Sequence, residues 1–369
     1  MYNWQLPDWP DFYYDHARID VLGEAYRDKA SVLAEKFYRL SFDEARGYLE
    51  DRAIREADAT SRIESEFINR QELENALTGI LGLGIRSGHA RDHRAKGVMQ
   101  MVAGVTMTFR NPLSGTMLKH WHDCLFSGGH SLTVVGDYRQ STHPMRVVSF
   151  ADGKHTVHFE APPADRVAME MAGLIEYCQR SDGRQEIPLV RAGLAHLWFE
   201  SIHPFEDGNG RIGRALIEKL LSQDWGAAIP FSVSEALYAR RPDYYAALQA
   251  TQRSLDITVW LEFFGEILLE AVAVADRRLR AINGRNGLLE RHAASLSAEM
   301  VQVLEDLYQQ AAEGASPRLT AREYSRRFRV SRATATRALQ RLVEIGCLIQ
   351  GGRGRGTHYV LPFDGNQGD

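Results

Sequence analysis

Cysteine is scarce in this 369-residue chain: Cys124, Cys178 and Cys347 stand far apart with no Cys-x-x-Cys spacing. That argues against a disulfide framework or a thiolate zinc cluster and fits a reducing, cytoplasmic setting. Long apolar runs are missing as well, since no stretch reaches the roughly eighteen residues that a bilayer span requires. The first residues, MYNWQLPDWPDFYYD, put acids and prolines where an export signal needs a basic start and an apolar core. No membrane association is expected. Internal repeats and low-complexity tracts are also lacking. What remains is ordinary globular composition, 44% hydrophobic and 25% charged, at a length that calls for two or three domains.

The net charge of −4 hides a segregation. Between Arg318 and Arg355 ten arginines face only Glu323 and Glu344, a local excess of +8 that leaves −12 for the rest of the chain. A basic end module is the consequence.

Along the chain, Trp4, Pro7, Trp9, Pro10 and Phe12 suit an extended segment anchored by rings. Val21 to Leu83, rich in Ala, Leu, Glu and Arg, reads as two or three helices, and helical spacing resumes from Lys96 to Phe109 after the glycine-containing IRSGHARDH. A helix follows Pro112. The alternating segments Arg146 to Phe150 and His155 to Phe159, joined by Asp152-Gly153, predict a β-hairpin. Helices are then expected over Asp165 to Tyr177, Leu189 to Ser201, Arg211 to Leu221, Tyr244 to Leu255 and Val259 to Ala275, with INGRNG past Ala281 as a linker. Three further helical patterns and two short strands close the chain.

The chemistry concentrates in His203-Pro-Phe-Glu-Asp-Gly-Asn-Gly-Arg-Ile-Gly-Arg214, between two helical patterns. Gly208, Asn209 and Gly210 allow a tight backbone turn, with Asn209 a good N-cap for the next helix, so that several amides and the positive end of a helix dipole can face one anion. Arg211 and Arg214, three apart, share a helix face and bring two guanidinium forks to the same place. Asp207 offers a hard oxygen for a magnesium ion bridging phosphates. His203 can take a proton near neutral pH. Together these are the parts needed to move a nucleotidyl group onto a hydroxyl.

This segment resembles the Fic signature, His-Pro-Phe-x-Asp-Gly-Asn-Gly-Arg-x-x-Arg, at every specified position. The resemblance extends over about Pro112 to Ala275, including Gly136-Asp-Tyr-Arg139 and the pair Tyr244-Tyr245. It implies a protein adenylyltransferase of bacterial type: His203 would deprotonate a Ser, Thr or Tyr hydroxyl of a target protein, and Asp207 would hold Mg2+ or Mn2+ between the α- and β-phosphates of ATP. Gly208 to Gly210 would cradle the phosphates, and Arg211 and Arg214 would contact the β- and γ-phosphates. The hairpin resembles the family's flap, which aligns the target by strand addition. Tyr244 and Tyr245 would line the nucleotide pocket or belong to the core. Upstream, Thr60-Ser-Arg-Ile-Glu-Ser65 resembles the family's inhibitory motif, Ser/Thr-x-x-x-Glu-Gly/Asn, with Glu64 as the inhibitory acid and Ser65 departing from the pattern.

At the C-terminal end, two short helices separated by Arg329-Val330, then strand, Gly-Arg-rich turn and strand, outline a winged helix-turn-helix. Ser331 would cap a recognition helix carrying Arg332, Thr334, Thr336, Arg337 and Arg341, with Arg353 and Arg355 in the wing. Such a module binds DNA or serves as a docking or homodimerisation surface. The expected division is 1–110, helical with the inhibitory motif; 111–281, Fic catalytic; and 282–369, winged helix. The expected class is mainly α with one hairpin flap. Two other functions stay open: a DNA-binding regulator with a minor catalytic role, and an enzyme that removes AMP from modified proteins.

Overall fold

In the computed structural model, residues 1–82, 90–129, 131–151, 154–180 and 187–362 are described. The fold is mainly α. The helices are α1 His16–Phe37, α2 Phe42–Ile63, α3 Arg70–Ile80, α4 His93–Thr108, α5 Gly115–Phe126, α6 Ala164–Gln179, α7 Pro188–Ile202, α8 Asn209–Trp225, α9 Val233–Ala239, α10 Arg241–Thr251, α11 Thr258–His292, α12 Ala298–Ala312, α13 Ala321–Phe328 and α14 Arg332–Glu344. Among the described residues two antiparallel hairpins accompany them: β1 Arg146–Ala151 with β2 Lys154–Glu160, and β3 Ile349–Gly351 with β4 His358–Val360. No helix among the described residues is long and apolar enough to cross a membrane. Cys124, Cys178 and Cys347 are buried free thiols.

The chain forms two compact units. One comprises Met1–Ala30 and Glu44–Val272; the other comprises Ser31–Asp43 and the residues from Ala273 onward.

In the first unit α7 is apolar on nearly every face, so the other elements are layered around it. It packs along α8, with α6 beside α7 and both α4 and α5 beside α8. Charges buried with α8 find partners on α2 and at the end of α4. Lys219 donates to the carbonyls of Thr108, Phe109 and Asn111 at 3.0, 3.0 and 2.6 Å, closing the C-terminal end of α4. Arg52 of α2 pairs with Glu218 of α8 at 2.7 Å, both side chains being almost fully buried. Glu56, one turn further along α2, accepts from the hydroxyls of Ser232 and Ser234. These bonds hold α2 in place on the helix that opens with the glycine loop.

The N-terminal segment is anchored by rings, as its composition suggests. Trp9 and Phe12 lie edge-on against Trp198, and Trp4 Nε1 donates to the Glu160 carbonyl at 2.7 Å. The β1–β2 hairpin forms with Arg146 opposite Glu160 and a bulge between Val147 and Val148. Its expected turn, Asp152-Gly153, and most of IRSGHARDH lie outside the described residues.

In the second unit, Leu304, Leu307, Tyr308, Leu339, Leu342 and Leu361 build the core. The expected linker INGRNG is not one: α11 runs through it to His292. Packing overrides the low helix propensity of Gly and Asn there. Ala281 and Leu288, which flank the segment, are buried on one face in the core of this unit, and a Cβ at Gly284 would stand 3.1 Å from the Tyr308 ring, so glycine permits close approach. Helices α13 and α14 pack together across a turn at Arg329, whose φ is +53°. Ser331 caps α14 by accepting from the Thr334 amide at 3.1 Å. The β3–β4 hairpin follows, with Leu319 bridging to Tyr359.

Candidate active site

His203 ends α7 in the left-handed region, φ +51°, so the chain leaves the helix abruptly and its side chain is held close to the helix end. Five residues later Gly208, at φ +80°, turns the chain into α8, and a Cβ there would meet the Phe126 ring at 2.9 Å. Asn209 is the first helical residue rather than the N-cap. Its side chain reaches back across the loop, accepting from the Phe205 amide and donating to the Phe205 carbonyl, both at 2.9 Å. These two hydrogen bonds to one residue fix the loop, and the first amides of a helix such as α8 have no partner within it, the condition for holding an anion. Phe205 is fully buried and stacks on His122, ring centroids 4.4 Å apart.

Arg139 is the brace beneath His203. It is buried; its Nε donates to the His203 carbonyl at 2.8 Å and its Nη2 to the carbonyls of Pro162 and Ile202 at 2.6 and 3.3 Å. Its own amide donates to the Pro204 carbonyl at 2.9 Å. Burial, helped by the Arg139 charge, pushes the His203 imidazole down to about 4, so at neutral pH it is a neutral base with a lone pair to offer. Glu200, one helical turn earlier, lies with its Oε2 3.9 Å from His203 Nδ1. Burial raises its carboxyl to about 8.

The two arginines at the start of α8 are both occupied. Arg214, 1% exposed, donates from Nη2 to Glu64 Oε1 at 2.8 Å, from Nε to the Thr60 hydroxyl at 2.8 Å and from Nη2 to the Thr60 carbonyl at 3.0 Å. Arg211 donates to Glu66 at 2.8 Å and lies over the Phe126 ring at 5.3 Å. Gly210 is required for this closeness, since a Cβ there would collide with the Glu64 carboxylate. Ser65 occupies the left-handed position, φ +63°, that glycine or asparagine would fill more easily. α2 ends there all the same. Ser65 Oγ accepts from Arg241 at 2.9 Å.

A cavity of about 600 Å³ opens between these groups, lined by Glu64, Glu200, His203 and Arg214, with the hairpin's Val147 and Phe159 on one wall. Tyr244 and Tyr245 both line it. Tyr244 is also core: it is 1% exposed and its hydroxyl is 2.9 Å from His196 Nε2. Tyr245 is 42% exposed and donates to the Ile63 carbonyl at 3.2 Å. Asp207 has 60% of its side chain exposed and accepts from the Gly208 amide at 2.5 Å.

Sequence reasoning did not single out Arg139 as a brace, nor Glu66, nor Glu200. Arg139 stood inside a recognised tetrapeptide, but its role depends on where Pro162 and Ile202 come to lie. Glu66 left no signal, because only the chain reversal at Ser65 turns its side chain toward Arg211.

Residues 112–221 match the family model described as Fic/DOC family, and residues 2–83 match a domain of unknown function, DUF4172. A Fic family protein from Desulfovibrio desulfuricans G20 is similar in structure, with a TM-score of 0.55 and 21% identity, over 97% of this chain and 99% of that one. A Fic domain containing signaling protein from Bacteroides thetaiotaomicron matches with a TM-score of 0.52 and 15% identity, over 70% of this chain and 98% of that one. Fic-1 from C. elegans matches with a TM-score of 0.51 and 18% identity, over 72% and 73% of the two chains. The chain therefore carries a Fic/DOC family domain at 112–221 and shares the mainly-α fold of these Fic proteins.

Proposed function

We propose that this protein transfers AMP from ATP to a hydroxyl of a target protein and that Glu64 holds the activity in check. The observation that carries the reading is the neutral His203, with only 15% of its side chain exposed, beside a helix start whose Arg214 is already gripped by a carboxylate. The target hydroxyl attacks the α-phosphorus while His203 takes its proton. The bond from the α-phosphorus to the oxygen bridging the β-phosphate breaks, and pyrophosphate leaves. Arg211 and Arg214 hold the β- and γ-phosphates, the start of α8 holds the oxygens between them, and the cavity beside Tyr245 takes the base.

Asp207 suits a magnesium ion that binds one carboxylate and otherwise substrate oxygens and water. Among the described residues no three His, Cys, Asp or Glu side chains converge as an all-protein metal cage would require. Such an ion would neutralise charge on the leaving pyrophosphate. The exposed valines at positions 147, 148 and 157 on the hairpin suit a flap that receives an extended target segment.

Removal of AMP is a second reading of the same site, favoured by one observation: Glu64 lines the cavity that His203 lines and could orient a hydrolytic water. For the C-terminal module we infer a winged helix that binds DNA, since Arg332, Arg337 and Arg353 are exposed on or after α14. Steep loss of duplex binding with salt, reduced further in Arg332→Ala, tests it; dimerisation without duplex binding would favour the docking role instead.

The transfer reading is tested in a lysate with labelled ATP and magnesium. Glu64→Gly protein should label itself or other proteins, and adding His203→Ala should lower labelling by about a hundredfold or more while ATP binding persists. Equal labelling by the two would remove His203 from the chemistry.

A further inference from the structure

The chain reverses where α2 ends. The Ser65 amide donates to the Arg62 carbonyl and the Glu66 amide to the Ser61 carbonyl, each at 2.9 Å, with Ser65 at φ +63°. This is the helix stop in which one left-handed residue folds the chain back over the last turn. On a continuing helix, residues 64 and 66 would point to nearly opposite sides. The reversal instead turns both carboxylates to the start of α8. Glu64 takes Arg214 and Glu66 takes Arg211, each at 2.8 Å.

The two pairs are alike in kind. Each joins an arginine with almost no exposed side chain, Arg214 at 1% and Arg211 at 5%, to a glutamate with 30% exposed. Arg211 is further fixed by the Phe126 ring beneath it, and Asp207 lies 3.7 Å from its Nη2. A carboxylate presents two oxygens to a guanidinium much as a phosphate does. An arginine so engaged must be released before it can grip a phosphate.

We propose that Glu66 is a second inhibitory carboxylate, which occupies Arg211 as a stand-in for a phosphate oxygen, so that the turn at Ser65 plugs both cations of the loop at once. This rests on reading the loop as a triphosphate site. It adds that Glu64 alone does not account for the closed state. Because both prongs leave from one turn, whatever moves that turn frees both arginines together, and the hydrogen bonds from Arg241 to Ser65 and from Tyr245 to the Ile63 carbonyl are among the contacts that tie it down.

The experiment uses the full chain as wild type, Glu66→Ala, Glu64→Gly and the double variant, with ATP and magnesium as the probe. Binding is read by calorimetry and labelling by transfer of radioactive AMP. Glu66→Ala should bind ATP roughly tenfold more tightly than wild type, the modest end for a charged hydrogen bond because Glu66 keeps part of its surface in water. The double variant should bind more tightly and label faster than Glu64→Gly alone. Adding Arg211→Ala should return affinity to the wild-type level or below, which loss of a merely structural loop contact would not do. Glu66→Gln, which keeps the side-chain length, should show part of the gain and guards against an unfolded alanine variant.

Unchanged ATP affinity on removing Glu66 in both backgrounds, with Glu64→Gly labelling normally, overturns this inference and spares the transfer reading. The converse is also distinct. If Glu64→Gly binds ATP and labels nothing while Glu66→Ala tightens binding, the transfer reading falls and the second plug stands. Absence of triphosphate binding in all the variants overturns both.

Discussion

Arg139 donates its Nε to the backbone carbonyl of His203 at 2.8 Å and so ties the proposed base to the segment that precedes the hairpin. The side chain is 3% exposed, and desolvation lowers its guanidinium to about 10. A buried cation of this kind is tolerated because carbonyls surround it.

Replacing Arg139 with alanine should strand the carbonyls of Pro162, Ile202 and His203 and cost about 2–4 kcal/mol of stability. Transfer in the Glu64→Gly background should fall about tenfold to a hundredfold from misplacement of His203, while ATP affinity changes little. Thermal unfolding and single-turnover labelling measure the two effects. Loss of neither would mean that Arg139 is not the brace described here.

The pH profile should be displaced toward acid. An ordinary histidine base limits a reaction below its value of 6.5, whereas burial holds His203 near 4. Labelling by Glu64→Gly should therefore stay nearly level from pH 8 to about 5.5, provided the fold persists. Folding has its own dependence. His122 and His203 near 4 and His196 near 3 all lie below their unfolded value of 6.5. Their contribution to stability is then fully present above pH 6.5 and lost as pH falls toward 4. Unfolding midpoints between pH 7.5 and 4.5 read this, and an acid limb of activity at 6.5 with an intact fold would contradict the His203 assignment.

Arg52 and Glu218 should behave as a buried pair rather than a surface one. Removing Arg52 alone leaves a carboxylate that is 4% exposed, at a cost of about 3–5 kcal/mol, whereas replacing both with apolar residues of similar volume should recover most of that loss. Denaturant midpoints at constant slope would show the difference. Equal losses in the single and double variants would place the pair's role elsewhere.

How much of this could be read without coordinates depended on whether one segment held the information. The helices, the hairpin and the twelve-residue motif were legible because period and turn chemistry are local. α9, seven residues long, was too short to announce itself, and α11 passed through INGRNG because the flanking Ala281 and Leu288 are both buried in the core of the second unit. Asn209 looked like a cap from its position and proved to be a clasp on Phe205, a choice made by the loop's closure rather than by propensity. Glu64 was singled out by a motif, whereas the pairing of Glu66 with Arg211 needed the φ of Ser65, which serine does not advertise.

The proposed restraint centres on the pairing of Glu64 with Arg214. Purified wild type, Glu64→Gly and Glu64→Gly combined with Arg214→Ala should be incubated with labelled ATP and magnesium and their AMP incorporation compared. A hydrogen bond to a charged group carries about 1.5–3 kcal/mol, so Glu64→Gly should exceed wild type by roughly tenfold to a hundredfold, and the added Arg214→Ala should erase the gain. Equal incorporation by wild type and a folded Glu64→Gly would contradict it.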